Sequence, residues 1–188
     1  RALALDPAYG PAHTGLALAH FWLYQASRAR SRPDVAALEA AILHAERSAA
    51  LDPGSAEAQA QLAFVLGITA RVEQARQHGR LALSIEPGNW RHQFMAGTAE
   101  WGSRRLACLE QVMAQYPALT HAHFAAAMVH LARVDLDAAD RVLAAGLEVQ
   151  RTSPGDRFPG RGLHWLRGLV AFLRGDAAGA HAAFDAEL

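Results

Sequence analysis

The sequence predicts an all-α chain of short antiparallel helical hairpins. Three observations carry the prediction: a surplus of alanine, prolines that recur after an acidic or polar step, and a recurrence of 34 residues. Of the 188 residues, 43 are Ala and 24 are Leu, so the 52% hydrophobic content consists largely of small side chains. Alanine has the highest helix propensity and loses no side-chain entropy in a helix, so helices rich in it approach one another closely. The prolines stand in Leu5-Asp6-Pro7, Leu51-Asp52-Pro53, Ile85-Glu86-Pro87 and, more weakly, Gln115-Tyr116-Pro117, and the second and third are 34 apart. Proline lacks the amide proton a helix needs and pushes its predecessor out of helical geometry, so each marks the end of one helix.

Taken in order, residues 1–9 read as the end of a truncated repeat. Residues 10–55 form a repeat with a long insertion around Ser27 to Asp34, where Ser31 and Pro33-Asp34 signal a turn and a fresh helix start. A regular repeat follows at 56–89, and the turns Gly54-Ser55 and Gly88-Asn89 supply N-caps for the helices after them. Residues 90–119 are a short repeat with a tight turn at Gly102-Ser103, and 120–151 is a further repeat. Residues 152–160, rich in Pro and Gly, are a loop, and 161–188 is a clipped last repeat. The units start at Gly10, Ala56, Trp90, Thr120 and Arg161, with spacings of 46, 34, 30 and 41.

Helix-turn-helix units of this period, with small residues at fixed slots, resemble the tetratricopeptide repeat (TPR). The paired slots where that family prefers Leu-Gly hold Leu16-Ala17, Leu62-Ala63, Ala96-Gly97, Ala126-Ala127 and Arg167-Gly168. The small slot of the second helix holds Ala41, Ala75, Arg105, Ala139 and Ala180, and the large slot four residues on holds Ala45, Gly79, Leu109, Leu143 and Phe184. Arg105 and Arg167 depart from the pattern. The resemblance implies one array over 1–188, a right-handed α-solenoid of about five TPR-like hairpins. More finely, Leu5 to Ala17 and Asp52 to Ala58 are similar to the TPR regions of multidomain bacterial signalling and regulatory proteins. That likeness implies a cytoplasmic fragment of a larger protein whose raw ends are covered by further chain.

Composition excludes several functions. The 18 Arg balance 18 acidic residues, with no Lys, and the signs are interspersed, so the basic footprint of direct nucleic-acid binding is missing. No apolar run approaches the ~18–20 residues of a membrane span. Arg76, Arg80, Arg104 and Arg133 read as a solvated face. A single cysteine, Cys108, rules out a disulfide framework within the chain, and it has no sequence-adjacent His as a base. Ten histidines invite a metal, but no motif supplies a third or fourth ligand. His13, His20, His123 and His130 instead fall in repeat slots where the TPR family carries flat aromatic rings, so they read as structural fillers. The expectation is a non-catalytic protein without metal or cofactor.

One pattern points to partners. Slots at i, i+4 and i+7 on the first helix of each unit form a second apolar line beside the one that faces the partner helix. It contains Phe21 with Trp22 next to it, Phe64, Phe94, Trp101, Phe124, Met128, Trp165, Leu169 and Phe172. By the resemblance these slots face a concave groove, which predicts capture of a protein or peptide with apolar or aromatic anchors. The competing reading is that they pack between successive first helices. Self-association as a homodimer, contact with flanking catalytic or DNA-binding domains of the parent chain, and sensing of a small apolar ligand are the alternatives. The family's grip on a terminal carboxylate uses Lys and Asn, and this chain has no Lys.

Overall fold

The structure is a computed structural model that describes residues 2–28, 31–152 and 162–188. The expected loop at 152–160 lies almost wholly outside the described residues. Eleven helices account for the regular structure among those residues: α1 (Ala2–Leu5), α2 (Gly10–Ser27), α3 (Val35–Leu51), α4 (Ala56–Leu66), α5 (Val72–Ile85), α6 (Trp90–Gly97), α7 (Gly102–Gln115), α8 (Thr120–Ala132), α9 (Leu136–Thr152), α10 (Leu163–Leu173) and α11 (Ala177–Asp185). They fall into two compact units, Arg1–Glu100 and Trp101–Leu188, and the division runs through the segment expected to be the third repeat.

In the first unit α2 pairs with α3 and α4 with α5, α3 packs on α4, α5 on α6, and the first helices α2, α4 and α6 touch in succession. The core is built of small residues, with Ala17, Ala41, Ala45, Ala60, Ala75 and Ala82 buried around Phe21, Leu62, Val65 and Leu66. In the second unit α8 pairs with α9 and α10 with α11, α7 packs on α8, and α10 contacts both α8 and α9. Its core is Ala127, Ala139, Leu143, Leu163, Leu166 and Val170.

The prolines end helices as the sequence predicts, through one repeated turn. The amide three residues on donates to the carbonyl before each proline: Tyr9 to Asp6 (3.2 Å), Ser55 to Asp52 (3.1 Å), Asn89 to Glu86 (3.4 Å) and Leu119 to Tyr116 (3.1 Å). Proline's fixed φ suits the second position of such a turn. The next helix is then capped: the side chain of Ser55 accepts from the Ala58 amide and that of Asn89 from the Arg91 amide. Asp34 caps α3 in the same way.

Each proline carbonyl is in turn held by the buried side chain six residues later. His13 Nε2 lies 3.1 Å from the Pro7 carbonyl, Gln59 Nε2 3.1 Å from Pro53, Gln93 Nε2 2.8 Å from Pro87 and His123 Nε2 3.3 Å from Pro117. A buried carbonyl without a donor costs free energy, so this clasp satisfies the turn and fixes the angle at which each first helix leaves it.

Two expectations change. Most of the insertion of residues 10–55 goes into helix rather than loop: α2 has 18 residues and α3 has 17, against 11 for α4 and 14 for α5. The turn expected at Gly102-Ser103 lies earlier, at Thr98–Glu100, and Gly102, with φ of 62°, starts α7.

Candidate functional site

The stripe on the first helices divides between the units. In the first, Phe21 is 1% exposed and Phe64 9%, and both belong to the core. Their ring centroids are 4.6 Å apart, and Phe64 lies 6.3 Å from Phe94, so the three form a ladder joining α2, α4 and α6. Phe94 is partly buried against the same core. Phe21 and Phe64 are therefore core residues and not open anchors: helices this rich in Ala approach closely enough for one ring to rest on the next. Trp22, one residue off the line, stands edge-on to Phe21 and is exposed, as is Leu23 beside it.

In the second unit three positions of the line on α8 and α10 are open. Trp165 is 48% exposed, Phe172 66% and Met128 40%. Phe124 and Leu169 are partly buried and pack on the core beneath. Phe172 and Leu173, both exposed, are adjacent on α10, and Trp165 lies two turns before them. Side chains at i, i+4 and i+7 share one helix face, so α8 and α10 each present an apolar edge. Trp101, 53% exposed, stands before α7 with the Arg105 guanidinium 5.5 Å from its ring centroid.

Several histidines are held inside the hairpins, whereas His121 and His181 are exposed. Besides the clasps of His13 and His123, the His44 ring lies against His20 at 5.8 Å, and His78 Nδ1 is 2.7 Å from Gln59 Oε1. His92 is buried, with its Nε2 3.0 Å from Glu57 Oε2. His130 Nδ1 lies 3.7 Å from Asp135. Among the described residues no group of three or more His, Cys, Asp or Glu could hold a metal ion. Cys108 is partly buried.

Arg76 is not simply solvated: its Nε donates to the Ala99 carbonyl at 3.2 Å and its Nη1 to Glu73, so it holds the turn after α6. Arg80, Arg104 and Arg133 are exposed. One cleft of the second unit is lined by Asp140, Arg167 and Arg174 together with Val170, Ala171 and Ala182. Among the described residues no helix is long and apolar enough to cross a membrane.

Sequence reasoning missed Gln59 and Gln93, the clasp residues of two turns. The signal is present as a proline followed six positions later by His or Gln, in Pro7/His13, Pro53/Gln59, Pro87/Gln93 and Pro117/His123. Only the two histidines drew notice, because a glutamine in a helix carries no sign that it is buried.

This geometry is that of an all-α solenoid protein of TPR-type hairpins, and solved structures agree. The thermophilic TPR protein TTC0263 of Thermus thermophilus superposes with a TM-score of 0.69 over 94% of this chain and 90% of its own, at 16% identity. PilW, a type IV pilus biogenesis factor, gives 0.72 over 97% of this chain and 78% of its own, at 18% identity. MamA of Desulfovibrio magneticus gives 0.64 over 90% and 92%, at 15% identity. No family model matches the sequence, and no curated protein matches it.

Proposed function

We propose that the chain is a non-catalytic protein-interaction module. Its second unit presents the apolar edges of α8 and α10 to a partner segment carrying aromatic or aliphatic anchors. The observation that carries this reading is the exposure of Met128 and Phe172, in the slots that Phe64 and Phe21 fill as buried residues in the first unit, together with that of Trp165 on the same line. Large apolar side chains left half in water gain most when a partner covers them, and aromatic residues of this kind dominate binding energies. The TPR-type fold supports the reading, because rigid hairpins hold such edges in place before binding and so lower the ordering cost. The repeat signatures favour a place in a larger, cytoplasmic bacterial regulatory protein.

The test is retention of the chain on an array of blocked peptides rich in Phe, Trp and Leu. The variant combining Met128→Ala, Trp165→Ala and Phe172→Ala is expected to weaken binding by at least about tenfold. Trp22→Ala, on the first unit, serves as the control and is expected to leave it unchanged. Undiminished binding by the triple variant contradicts the assignment of this face.

A further inference from the structure

Arg105 stands in a slot where the repeat calls for a small side chain, and the structure shows what it does there. Its guanidinium lies over the Trp101 ring, its side chain is partly buried, and its Nε is shut off from solvent without a hydrogen-bond acceptor. Among the described residues no carboxylate lies within ion-pair distance of it, whereas Arg151, Arg167 and Arg174 of the same unit pair with Glu148, Asp140 and Asp137. Removal from water pushes the guanidinium below its ordinary range with no acid to offset it.

Its surroundings add positive charge. Arg104 is next in the chain, and the Arg133 Nη2 donates to Ser103 Oγ at 2.7 Å. Neither makes an ion pair among the described residues, and the first turn of α7 contains no acidic residue. The Arg105 charge also helps to hold the nearby His121 below its ordinary value, after the larger effect of desolvation by the surrounding protein. His121 is exposed as a residue, and its ring stacks on Phe124 at 5.7 Å. A cation partly withdrawn from water and given no counter-charge is costly, and a carboxylate brought by a ligand relieves that cost.

We propose that the Trp101–Arg105 corner receives a carboxylate of the partner segment, next to an apolar residue of that segment that packs on Trp101 and Phe124. This rests on the reading of the second unit as a partner surface and narrows it to an acidic-aromatic protein segment. A planar guanidinium backed by a ring favours a carboxylate held in one orientation. A nucleic acid fits less well, because the acidic residues interspersed through this unit interrupt any extended phosphate track.

The experiment uses short peptides that pair Phe, Trp or Leu with Asp or Glu at varied spacing, each beside its Asn or Gln twin. All are made with amidated and with free C-termini, and they are probed with the chain and with Arg105→Gln. Acidic amidated peptides are expected to outbind their amide twins by about tenfold, more weakly at high salt, if a side-chain carboxylate is recognised. The same preference confined to free C-termini assigns the corner to a terminal carboxylate. In either case Arg105→Gln is expected to erase the preference while leaving the binding of the amide twins and the melting temperature unchanged or higher. Equal binding of acid and amide twins overturns the proposal while leaving the apolar surface intact, and so does a preference that survives Arg105→Gln. Displacement of the peptides by a single-stranded oligonucleotide at matched charge, or loss of the preference only together with a fall in melting temperature, also overturns it. Failure of every peptide, acidic or not, removes the partner-surface reading with it.

Discussion

His13 and His44 meet through their Nδ1 atoms at 2.9 Å, a contact that only one proton can bridge. The Pro7 carbonyl accepts only, so His13 carries its proton on Nε2 and, when neutral, offers Nδ1 as the acceptor for His44 Nδ1–H. Both rings cannot be cations in this arrangement. His44 is held below its ordinary value first by burial and then by His13 and His20, and His78 is lowered by burial and Arg71 against the opposing effect of Glu46.

The native state therefore favours the neutral rings of His44 and His78, and the unfolded chain takes up more protons as the pH falls through about 6.5. Stability from these groups is fully present above that value and declines below it. Thermal melts are expected to show a falling midpoint from about pH 7.5 to about pH 5.5. The slope is expected to be shallower in His44→Gln, whose amide can still donate to His13. A midpoint that does not move over this interval, or an unchanged slope in His44→Gln, contradicts the account.

The clasp on each proline carbonyl predicts a pattern of substitution. Gln93 donates to Pro87 from a buried position, and its Oε1 has no hydrogen-bond partner. Replacing it by Leu leaves the carbonyl unpaired and is expected to cost about 1–2 kcal/mol in chemical denaturation. Gln93→His installs the side chain that serves the same role at positions 13 and 123, and it is expected to lose less than half as much. Equal losses for the two variants would show that shape, not the hydrogen bond, sets the preference.

Gly168 and Phe184 form a complementary pair between α10 and α11. A Cβ on Gly168 would meet ring atoms of Phe184, with Cδ1 at 2.6 Å and Cζ at 2.9 Å. Gly168→Ala is expected to destabilise by about 1–3 kcal/mol, as overpacking does. Combining it with Phe184→Leu is expected to recover part of the loss, so the two changes should be non-additive in the same melts. Additive effects would place the ring elsewhere.

The turns were legible because their chemistry is local. Pro53, Pro87 and the caps Asp34, Ser55 and Asn89 act within a few residues of themselves, and the helix boundaries follow. Gly168 and Phe184 were visible as a small and a large slot, but that the two meet follows only from the packing of α10 on α11. The stripe was legible as a line but not as a surface. Phe64 and Met128 hold the same slot, as do Phe21 and Phe172, and whether the next first helix covers a slot depends on how closely hairpins stack. Likewise Arg105 could be recognised as a departure, but its lack of a carboxylate follows only from where Asp137, Asp140 and Glu148 place their own partners.

On the line along the first helices, Phe21 and Phe64 are closed in the first unit while Met128, Trp165 and Phe172 are open in the second. Hydroxyl-radical footprinting, read residue by residue by mass spectrometry, tests it directly. In the free chain Trp165, Phe172 and Met128 are expected to be oxidised readily while Phe21 and Phe64 are protected, and an aromatic peptide selected from the array is expected to protect the first three alone. Protection of Trp165 and Phe172 in the free chain, whether constant or deepening with protein concentration as a second copy covers them, would contradict the account.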